Sequence, residues 1–246
     1  YLSPGVYVEE FDSGSTPMQG VGTSTAGFIG LAEKGSVSGA PVLVTNPADF
    51  NRKYGGYLQE NEFGEYRYLA YAVNQFFANG GSRAYIMRVC PSNAAIAKSI
   101  AADGKKGIID IRAKNEGAWG NSITVTFSDA SKARTQIFED LGAGSYQVKS
   151  ALGFNVGDVV AVEGTGSLEY NIVTAVSENV VTFDSPFAAD VVDKALLPKV
   201  TIKTCEFNVE VKYDSTVENY EFVSLNVSSS NFIEKKLAKS ELIDVR

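Results

Sequence analysis

Two glycine-rich stretches of the sequence carry part of the spacing that binds phosphate groups in nucleotide-binding proteins. Residues 30–36 (GLAEKGS) space two glycines as a P-loop does, but Lys34 precedes the second glycine and could not reach phosphates in the usual geometry. Residues 20–25 (GVGTST) begin like a dinucleotide-binding fingerprint, but Thr25 replaces the third glycine and no strand precedes them. We therefore expect a turn at the first stretch and a linker at the second.

Carboxylates cluster at two places where they could bind a metal ion or transfer protons. Glu60, Glu62 and Glu65 precede a predicted helix and could hold calcium, but their spacing is not that of an EF-hand loop. We expect them to serve the N-terminus of the helix instead. Glu9 and Glu10 could act as an acid–base pair only inside a cleft, because burial is what raises the pKa of a carboxyl group.

Three large or charged side chains could hold a ligand or could serve packing. Trp119, the only tryptophan, is flanked by glycines, so its ring either packs against backbone or forms a ligand platform. Arg83 and Arg88 lie on a predicted strand, where each could bind an anion or form an ion pair with a neighbour. We expect packing for the tryptophan and ion pairing for the arginines.

Histidine is absent from the chain, and this absence removes whole classes of chemistry. Ser-His-Asp and Cys-His nucleophilic centres cannot be built without it, nor can histidine-ligated zinc or iron sites. Cys90 and Cys205 have no CxxC partner, so we expect buried free thiols, with a disulfide as the alternative. The sequence therefore predicts no enzyme activity, no cofactor and no metal site.

The charge balance and hydropathy argue against two further kinds of partner. The chain has 22 basic and 29 acidic residues, a net charge of −7, and neither half is basic, which argues against nucleic acid. No apolar run approaches the roughly 20 residues that span a bilayer, and no secretory signal is visible, so we expect no membrane insertion. We also expect the parent protein to extend beyond Tyr1 and Arg246.

Residues 26–104 alternate short strands and helices in the manner of an α/β layer. The predicted strands are residues 26–32, 41–45 and 83–90, and the predicted helices are residues 47–54, 66–79 and 93–103. Asn46 should cap the first helix and Gly55 should end it. The second helix should bury Leu69, Val73, Phe76 and Phe77, and the third strand should place Tyr85, Met87 and Val89 on one side. Because the strands are few for these helices, we expect an incomplete α/β layer.

Residues 105–246 are rich in Val, Ile, Thr and aromatic residues with regularly spaced turns, which indicates an all-β domain. Strands are predicted at residues 108–114, 123–128, 135–139, 146–149, 159–163, 170–176, 180–183, 200–213 and 217–225. A helix should follow from residue 230 or 231 to about 239, with a last strand at 242–245. Residues 141–198 should form a small inserted β-barrel. The predicted fold class is therefore α+β and multidomain.

Residues 1–25 precede these domains as an extended arm and a linker. Val6 and Val8 point one way and Tyr7 and Glu9 the other, which is the period-2 pattern of a strand. The linker contains the flexible or direction-changing residues Gly14, Pro17, Gly20 and Gly22. A strand on such a linker either folds back onto its own domain or adds to a sheet edge of another molecule.

The order of these motifs resembles the N-terminal part of the contractile tail sheath proteins of long-tailed phages and related injection particles. The resemblance rests on LSPGVYVEEFDSG, GVGTSTAGFIGLAEKG, PVLVTNPADFNRKYGG and LAYAVNQFFANGGSRAYIMRVC, which together cover residues 2–90. Residues 116–121 (EGAWGN) are similar to the family's Trp-Gly-Asn signature at the start of its β domain. The inserted barrel resembles the family only weakly, and the C-terminal region that completes the family's α/β domain is missing.

The resemblance implies a structural subunit that polymerises as stacked hexameric rings in the virion tail after synthesis in the bacterial host cytoplasm. Its partners would be other copies of itself, the tail tube protein, and the baseplate and tail terminator proteins. Val6, Tyr7, Val8 and Glu9 would form a strand donated to a neighbouring subunit, and the linker would act as a hinge when the sheath contracts and drives the tube through the target envelope.

Two other functions stay open on sequence grounds. The inserted barrel could be a surface-displayed carbohydrate- or host-binding module, with Tyr146, Phe154 and Tyr170 as its aromatic residues. An enzyme built on the α/β layer is disfavoured by the missing histidine and the missing phosphate loop.

Overall fold

The computed structural model describes residues 24–102, 107–163, 168–193, 197 and 200–246. The described part is mostly β, with four sheets, one of which closes into a barrel. The chain divides into two compact units after Val89, whereas the sequence placed the change of domain at residue 104.

The first unit is a three-stranded sheet with helices on one of its faces. Its elements are β1 (Thr25–Leu31), β2 (Val42–Val44), α1 (Pro47–Tyr54), α2 (Glu60–Phe63), a 3₁₀ helix (Gly64–Tyr68), α3 (Leu69–Ala78) and β3 (Arg83–Val89). The central strand β3 is parallel to β1 and antiparallel to β2. The strands and helices predicted for residues 26–90 are confirmed, with two differences: the helix predicted from residue 66 begins with the 3₁₀ turn, and helix α2 lies where a loop was predicted.

Helix α1 begins and ends as its sequence predicts. The Asn46 Oδ1 accepts a hydrogen bond of 2.8 Å from the Asp49 amide, and Gly55 ends the helix with a φ of 87°. Burial works to raise the pKa of Asp49, but hydrogen bonds from Arg52 and Lys53 bring that pKa below its ordinary value. The helix is therefore held by local interactions that its own sequence contains.

The core of the first unit lies between the helices and one face of the sheet. Phe50 and Tyr54 of α1 and Leu69 and Val73 of α3 are buried there, as predicted for α3. The sheet contributes Val44, Ala84 and Ile86, and Phe28, Phe76 and Phe77 pack against this cluster with partial burial. The phenol group of Tyr54 donates to the Ile86 carbonyl at 3.1 Å, so its one buried polar atom is satisfied.

The second unit contains two three-stranded sheets and a barrel. Its strands are β4 (Lys98–Ala102), β5 (Gly107–Ala113), β6 (Thr124–Asp129), β7 (Arg134–Gly142), β8 (Ser145–Val148), β9 (Val159–Glu163), β10 (Leu168–Ser177), β11 (Val180–Phe183), β12 (Thr201–Thr204), β13 (Phe207–Tyr213), β14 (Thr216–Val223) and β15 (Ile243–Val245). A 3₁₀ helix (Ala118–Ser122) precedes β6, and helix α4 (Ile233–Leu237) precedes β15. The sheets have the orders β14-β13-β6 and β15-β5-β4.

The helix predicted at residues 93–103 is wrong, because residues 93–97 are not helical and β4 (Lys98–Ala102) follows them. Ile96 and Ile100 have helical spacing and the alanines favour a helix. However, β4 pairs antiparallel with β5, with Ile100 opposite Asp110, and the Ile100 side chain is 63% exposed. Pairing with a strand that follows in the chain thus overrides the local propensity.

Trp119 packs in the core of the second unit, as expected for a structural residue. Its ring meets Tyr213 edge-to-face with centroids 5.2 Å apart, and its Nε1 donates to the Glu116 carbonyl at 3.3 Å. The next residue, Gly120, has no room for a side chain, because a Cβ there would lie 2.7 Å from the Cβ of Ala113 and 2.8 Å from that of Ala97. The ring is therefore not a ligand platform.

The barrel is closed in the order β10-β11-β8-β7-β12-β9 and filled with apolar side chains. It extends past the predicted range of 141–198 at both ends, because β7 and β12 pair with each other and close it. The predicted strand 200–213 accordingly breaks at Cys205 and Glu206: its first part belongs to the barrel and its second to the sheet of β13. The filled interior leaves only the outside of the barrel available for binding.

Candidate interaction surfaces

One face of the first unit's sheet is apolar and exposed. The register places Leu43, Tyr85 and Gly27 in one row, Met87 beside Ile29 in the next, and Val89 beside Leu31 in a third. The Ile29 side chain is 76% exposed, and Leu43, Tyr85 and Val89 are each about 40% exposed. We call these residues (Ile29, Leu31, Leu43, Tyr85, Met87 and Val89) the open sheet face.

A parallel strand pair with an apolar open face is unusual, since parallel strands are normally covered on both faces. Helices α1 and α3 cover only the face that carries Ala84 and Ile86. The sequence placed Tyr85, Met87 and Val89 together on one side of β3, which the structure confirms. Because β3 carries apolar residues on both of its sides, its sequence pattern is typical of a strand that is covered on both faces.

Both edges of this sheet are also open among the residues that the structure describes, because β1 and β2 each pair only with β3. An open edge presents unpaired N–H and C=O groups to which another strand can add. The long edge belongs to β1, and the edge of β2 is three residues long. A binding partner could therefore cover the open sheet face, extend the sheet, or do both.

The loop after β1 is held by Arg88, one of the two arginines considered for anion binding. Its guanidinium group donates to the carbonyl oxygens of Ala32 and Gly35 at 2.9 Å and of Glu33 at 3.1 Å. Gly35 has a φ of 104° and lies against the Tyr54 ring. A Cβ at this position would lie 2.6 Å from the Cδ1 atom of Tyr54, so only glycine fits. The P-loop-like stretch is thus a turn, as expected, and Arg88 serves it, whereas Arg83 lies exposed at the start of β3.

The residues predicted to form the arm and the hinge lie outside the described part of the chain. They are Val6, Tyr7, Val8, Glu9, Gly14, Pro17, Gly20 and Gly22. Glu9 and Glu10, which could act as an acid–base pair only inside a cleft, lie there too. Their roles stay predictions.

The three clustered carboxylates surround a short helical segment. Glu60 and Glu62 lie on α2, Glu65 lies on the 3₁₀ helix, and Glu60 forms an ion pair of 3.2 Å with Arg67. Within the described ranges, no group of three metal-ligating side chains comes together.

The base of the barrel is tied to the loop between β14 and α4 by Asp158 and Asn226, which are both buried. The Asn226 Nδ2 donates to the Asp158 carboxylate at 2.8 Å and to the Val156 carbonyl at 3.0 Å. Gly157 lies between them, where a Cβ would stand 2.8 Å from the Asn226 Oδ1. The sequence did not predict this contact, because its partners are 68 residues apart.

Two of the three aromatic residues considered for carbohydrate binding are inside the barrel. Tyr146 and Phe154 belong to its core, and the Tyr146 hydroxyl accepts a hydrogen bond of 3.1 Å from the Phe187 amide. Tyr170 is 61% exposed on β10, where Leu168 and Ile172 point the same way. The barrel therefore offers one exposed tyrosine from the predicted set, flanked by two aliphatic side chains.

The two cysteines are free thiols and are partly buried, as expected. Burial raises the pKa of Cys205 to about 11. Its thiol is therefore protonated and unreactive at neutral pH.

Neither a family model nor a curated relative matches this sequence. Among solved structures, the chain is similar to the sheath tail protein Lin1278 from Listeria innocua, at 14% sequence identity and a TM-score of 0.27. The match covers 66% of this chain and 33% of that one, so the chain spans about a third of the length of that protein. In the part of the chain that the structure describes, no helix is long and apolar enough to cross a membrane. At a TM-score this low, the likeness assigns no residue a role.

Proposed function

We propose that this chain is a structural subunit of a contractile tail sheath, without enzyme activity. The observation that carries the proposal is the open sheet face, because a folded unit that exposes several large apolar side chains on one side of a sheet is suited to permanent assembly. The order of motifs along residues 2–121 supports the choice of a sheath among assembling proteins.

In this proposal the open sheet face is buried in the assembled protein. A second chain segment or a neighbouring subunit covers Ile29, Met87 and Tyr85 and completes the α/β layer. Burying side chains of this size stabilises the covered state by about 1.5–3 kcal/mol for each fully buried residue. Such a contact would be permanent, and would move as a rigid body when the sheath contracts.

The arm at Val6, Tyr7, Val8 and Glu9 would add a strand to a sheet in a neighbouring subunit, and the linker with Gly14, Pro17, Gly20 and Gly22 would let successive rings rotate. Each main-chain hydrogen bond of such a strand contributes about 0.5–1.5 kcal/mol net. Several of them acting together would hold rings in contact while the surfaces beside them rearrange. The tail tube, baseplate and tail terminator proteins are the other partners that this function requires.

The first experiment tests the open sheet face by electron microscopy of the protein expressed from its complete gene. Ile29→Glu should prevent the formation of sheath tubes while changing the melting temperature of the subunit little, because Ile29 is 76% exposed. The matched control is Leu152→Glu, since Leu152 is 88% exposed in the other unit and should tolerate the charge. Normal tubes from Ile29→Glu would refute the burial of this face.

The second experiment tests the donated strand in the same protein. In a strand, two adjacent N–H groups point to opposite edges, so Tyr7→Pro with Val8→Pro removes one ladder bond in either register. Tube formation should fail in this variant and persist in Tyr7→Phe with Val8→Ile, which keeps both N–H groups. If the proline variant assembles like the control, the arm donates no strand.

A second candidate function rests on the exposed row of Leu168, Tyr170 and Ile172 on β10. Such a row could make the barrel a carbohydrate- or host-binding module displayed on a phage-like particle. A glycan array probed with the whole chain and with Tyr170→Ala would identify a sugar whose binding needs this ring. An array without such a sugar would remove the carbohydrate form of this candidate.

A further inference from the structure

A cluster of exposed tyrosines covers the segment that joins α1 to α3. The ring centroids of Tyr57 and Tyr71 are 4.4 Å apart and those of Tyr68 and Tyr71 are 6.2 Å apart. Each of these three side chains is about half exposed, and Tyr66 on the same 3₁₀ helix is 74% exposed. We call Tyr57, Tyr68 and Tyr71 the tyrosine surface. Tyrosine is enriched at protein–protein interfaces because it brings a large rigid ring at low entropic cost.

The tyrosine surface is held in place before any partner binds. Next to Tyr57, the side chain of Leu58 is buried and fixes the chain. Arg67 lies between Tyr66 and Tyr68 in the sequence. It donates a hydrogen bond to the Gly64 carbonyl at 2.7 Å and forms an ion pair with Glu60 at 3.2 Å. Because the segment is fixed at both ends, binding there would cost little conformational entropy.

One cation already stacks on this surface. The guanidinium carbon of Arg67 lies 4.8 Å from the centroid of the Tyr68 ring, within the range of a cation–π interaction. Tyr57 and Tyr71 present further exposed rings beside it, and the described residues place no second cation over them. The surface thus makes one cation–π contact within the chain, at Tyr68, and leaves the rings of Tyr57 and Tyr71 for a partner.

The charges around the rings favour a positive partner. Residues 57–71 contain three acids (Glu60, Glu62 and Glu65) and one base, Arg67. Arg67 pairs with Glu60, while Glu62 and Glu65 are exposed. Glu62 and Glu65 belong to the same segment as the rings, and a cation is attracted both by carboxylates and by the negative faces of aromatic rings.

We propose that the tyrosine surface docks a protein segment that carries lysine or arginine side chains, with their cationic groups over the rings of Tyr57 and Tyr71 and in ion pairs with Glu62 and Glu65. The proposal goes beyond sheath function and does not depend on it. A neutral sugar could also stack on the rings, but it would gain nothing from the surplus of carboxylates.

The test is a fluorescence anisotropy titration of a labelled Arg-Gly-Ser repeat peptide against the whole chain. Tyr57→Leu with Tyr71→Leu keeps apolar area but removes both rings, and should weaken binding about tenfold if each ring contributes about 0.5–1 kcal/mol. Tyr57→Phe with Tyr71→Phe keeps the rings and should bind within about twofold of the parent chain. Circular dichroism checks that both variants are folded.

Two double variants that each remove two negative charges test the acidic part of the surface. Their comparison still tests the proposal if the leucine variant misfolds. Glu62→Gln with Glu65→Gln should weaken binding several-fold more than Glu178→Gln with Glu221→Gln, which makes the same change of net charge at exposed positions elsewhere. Equal losses from the two pairs would mean attraction by net charge alone and would overturn the proposal. No peptide binding, or a glycan array showing a sugar that needs these rings, would also overturn it.

Discussion

The Asn226 side chain joins the barrel to the loop between β14 and α4, and replacing it tests how firmly the barrel is held. Its Nδ2 donates to Asp158 and to the Val156 carbonyl, and its Oδ1 accepts from the Ser228 amide at 3.0 Å. Asn226 and Asp158 are only 6% and 5% exposed, so water replaces these bonds poorly. Asn226→Ala therefore leaves a buried carboxylate and a partly buried carbonyl short of a donor.

The size of the effect follows from the kinds of bond that are lost. A hydrogen bond to a charged group contributes about 1.5–3 kcal/mol, and one between neutral groups about 0.5–1.5 kcal/mol. In this variant the Asp158 carboxylate still accepts a hydrogen bond of 2.8 Å from the Asn155 amide, which limits the loss of stability. We expect Asn226→Ala to lower the free energy of unfolding of the second unit by about 2–4 kcal/mol.

Urea denaturation with two probes measures this loss and locates it. Trp119 lies among the sheets, so its fluorescence reports on them, whereas far-ultraviolet circular dichroism also includes the barrel. A loss of about 2–4 kcal/mol should move the midpoint by roughly 1 M urea. If the barrel opens first, the dichroism should change before the fluorescence does, and the amide of Gly157 should exchange hydrogen faster than in the parent chain.

Two further variants sharpen the test. Asn219→Ala removes an exposed asparagine of β14 and should change the unfolding free energy by less than about 0.5 kcal/mol. Asn226→Asp sets a second carboxyl group against Asp158 and should cost more than alanine at neutral pH. If Asn226→Ala behaves like Asn219→Ala, the contact does not hold the barrel.

Three other predictions follow from single interactions. Asn46→Ala removes the cap that accepts from Asp49 and should cost about 1 kcal/mol in a thermal melt, whereas Asn46→Ser should cost little. Cys205 should react slowly with a thiol reagent at pH 8 until the chain is denatured, since burial raises its pKa to about 11; rapid labelling of the native chain would contradict this. The hydrogen bond from Lys203, with its charge, lowers the pKa of Glu163, so the stabilisation from this pair is present above the unfolded pKa and lost as pH falls through the folded one. An NMR titration should find that the pKa of Glu163 rises in Lys203→Met and stays low in Lys203→Arg.

Elements whose determinants are local could be predicted from the sequence, and elements completed by distant strands could not. Helix α1 has its cap at Asn46, its dipole charges and its terminal Gly55 within ten residues, so its bounds were predicted. The segment of β4 has helical spacing of its own and becomes a strand because β5 pairs with it. The barrel was predicted too short because β7 and β12 look like strands of any sheet, and only their mutual pairing places them in it.

The candidate surfaces divide in the same way. The period-2 pattern of β3 predicted which residues share a side, but the coverage of each side depends on chains and elements that the pattern does not contain. The tyrosine surface could have been suspected from four tyrosines within fifteen residues, yet their exposure follows from Leu58 and Arg67, which fix how the segment lies. The Asp158–Asn226 contact could not be predicted from one sequence, because nothing near either residue indicates the other.

The barrel and the first unit meet opposite physical demands. The barrel fills its own interior and has no open strand edge, so residues on its outside can change without loss of core stability. The first unit buries one face of its three-stranded sheet and leaves the other apolar and exposed, so in the proposed assembly a partner would cover Ile29 and Met87. If the chain assembles as proposed, substitutions on the open sheet face should disturb assembly, whereas substitutions on the outer surface of the barrel should not.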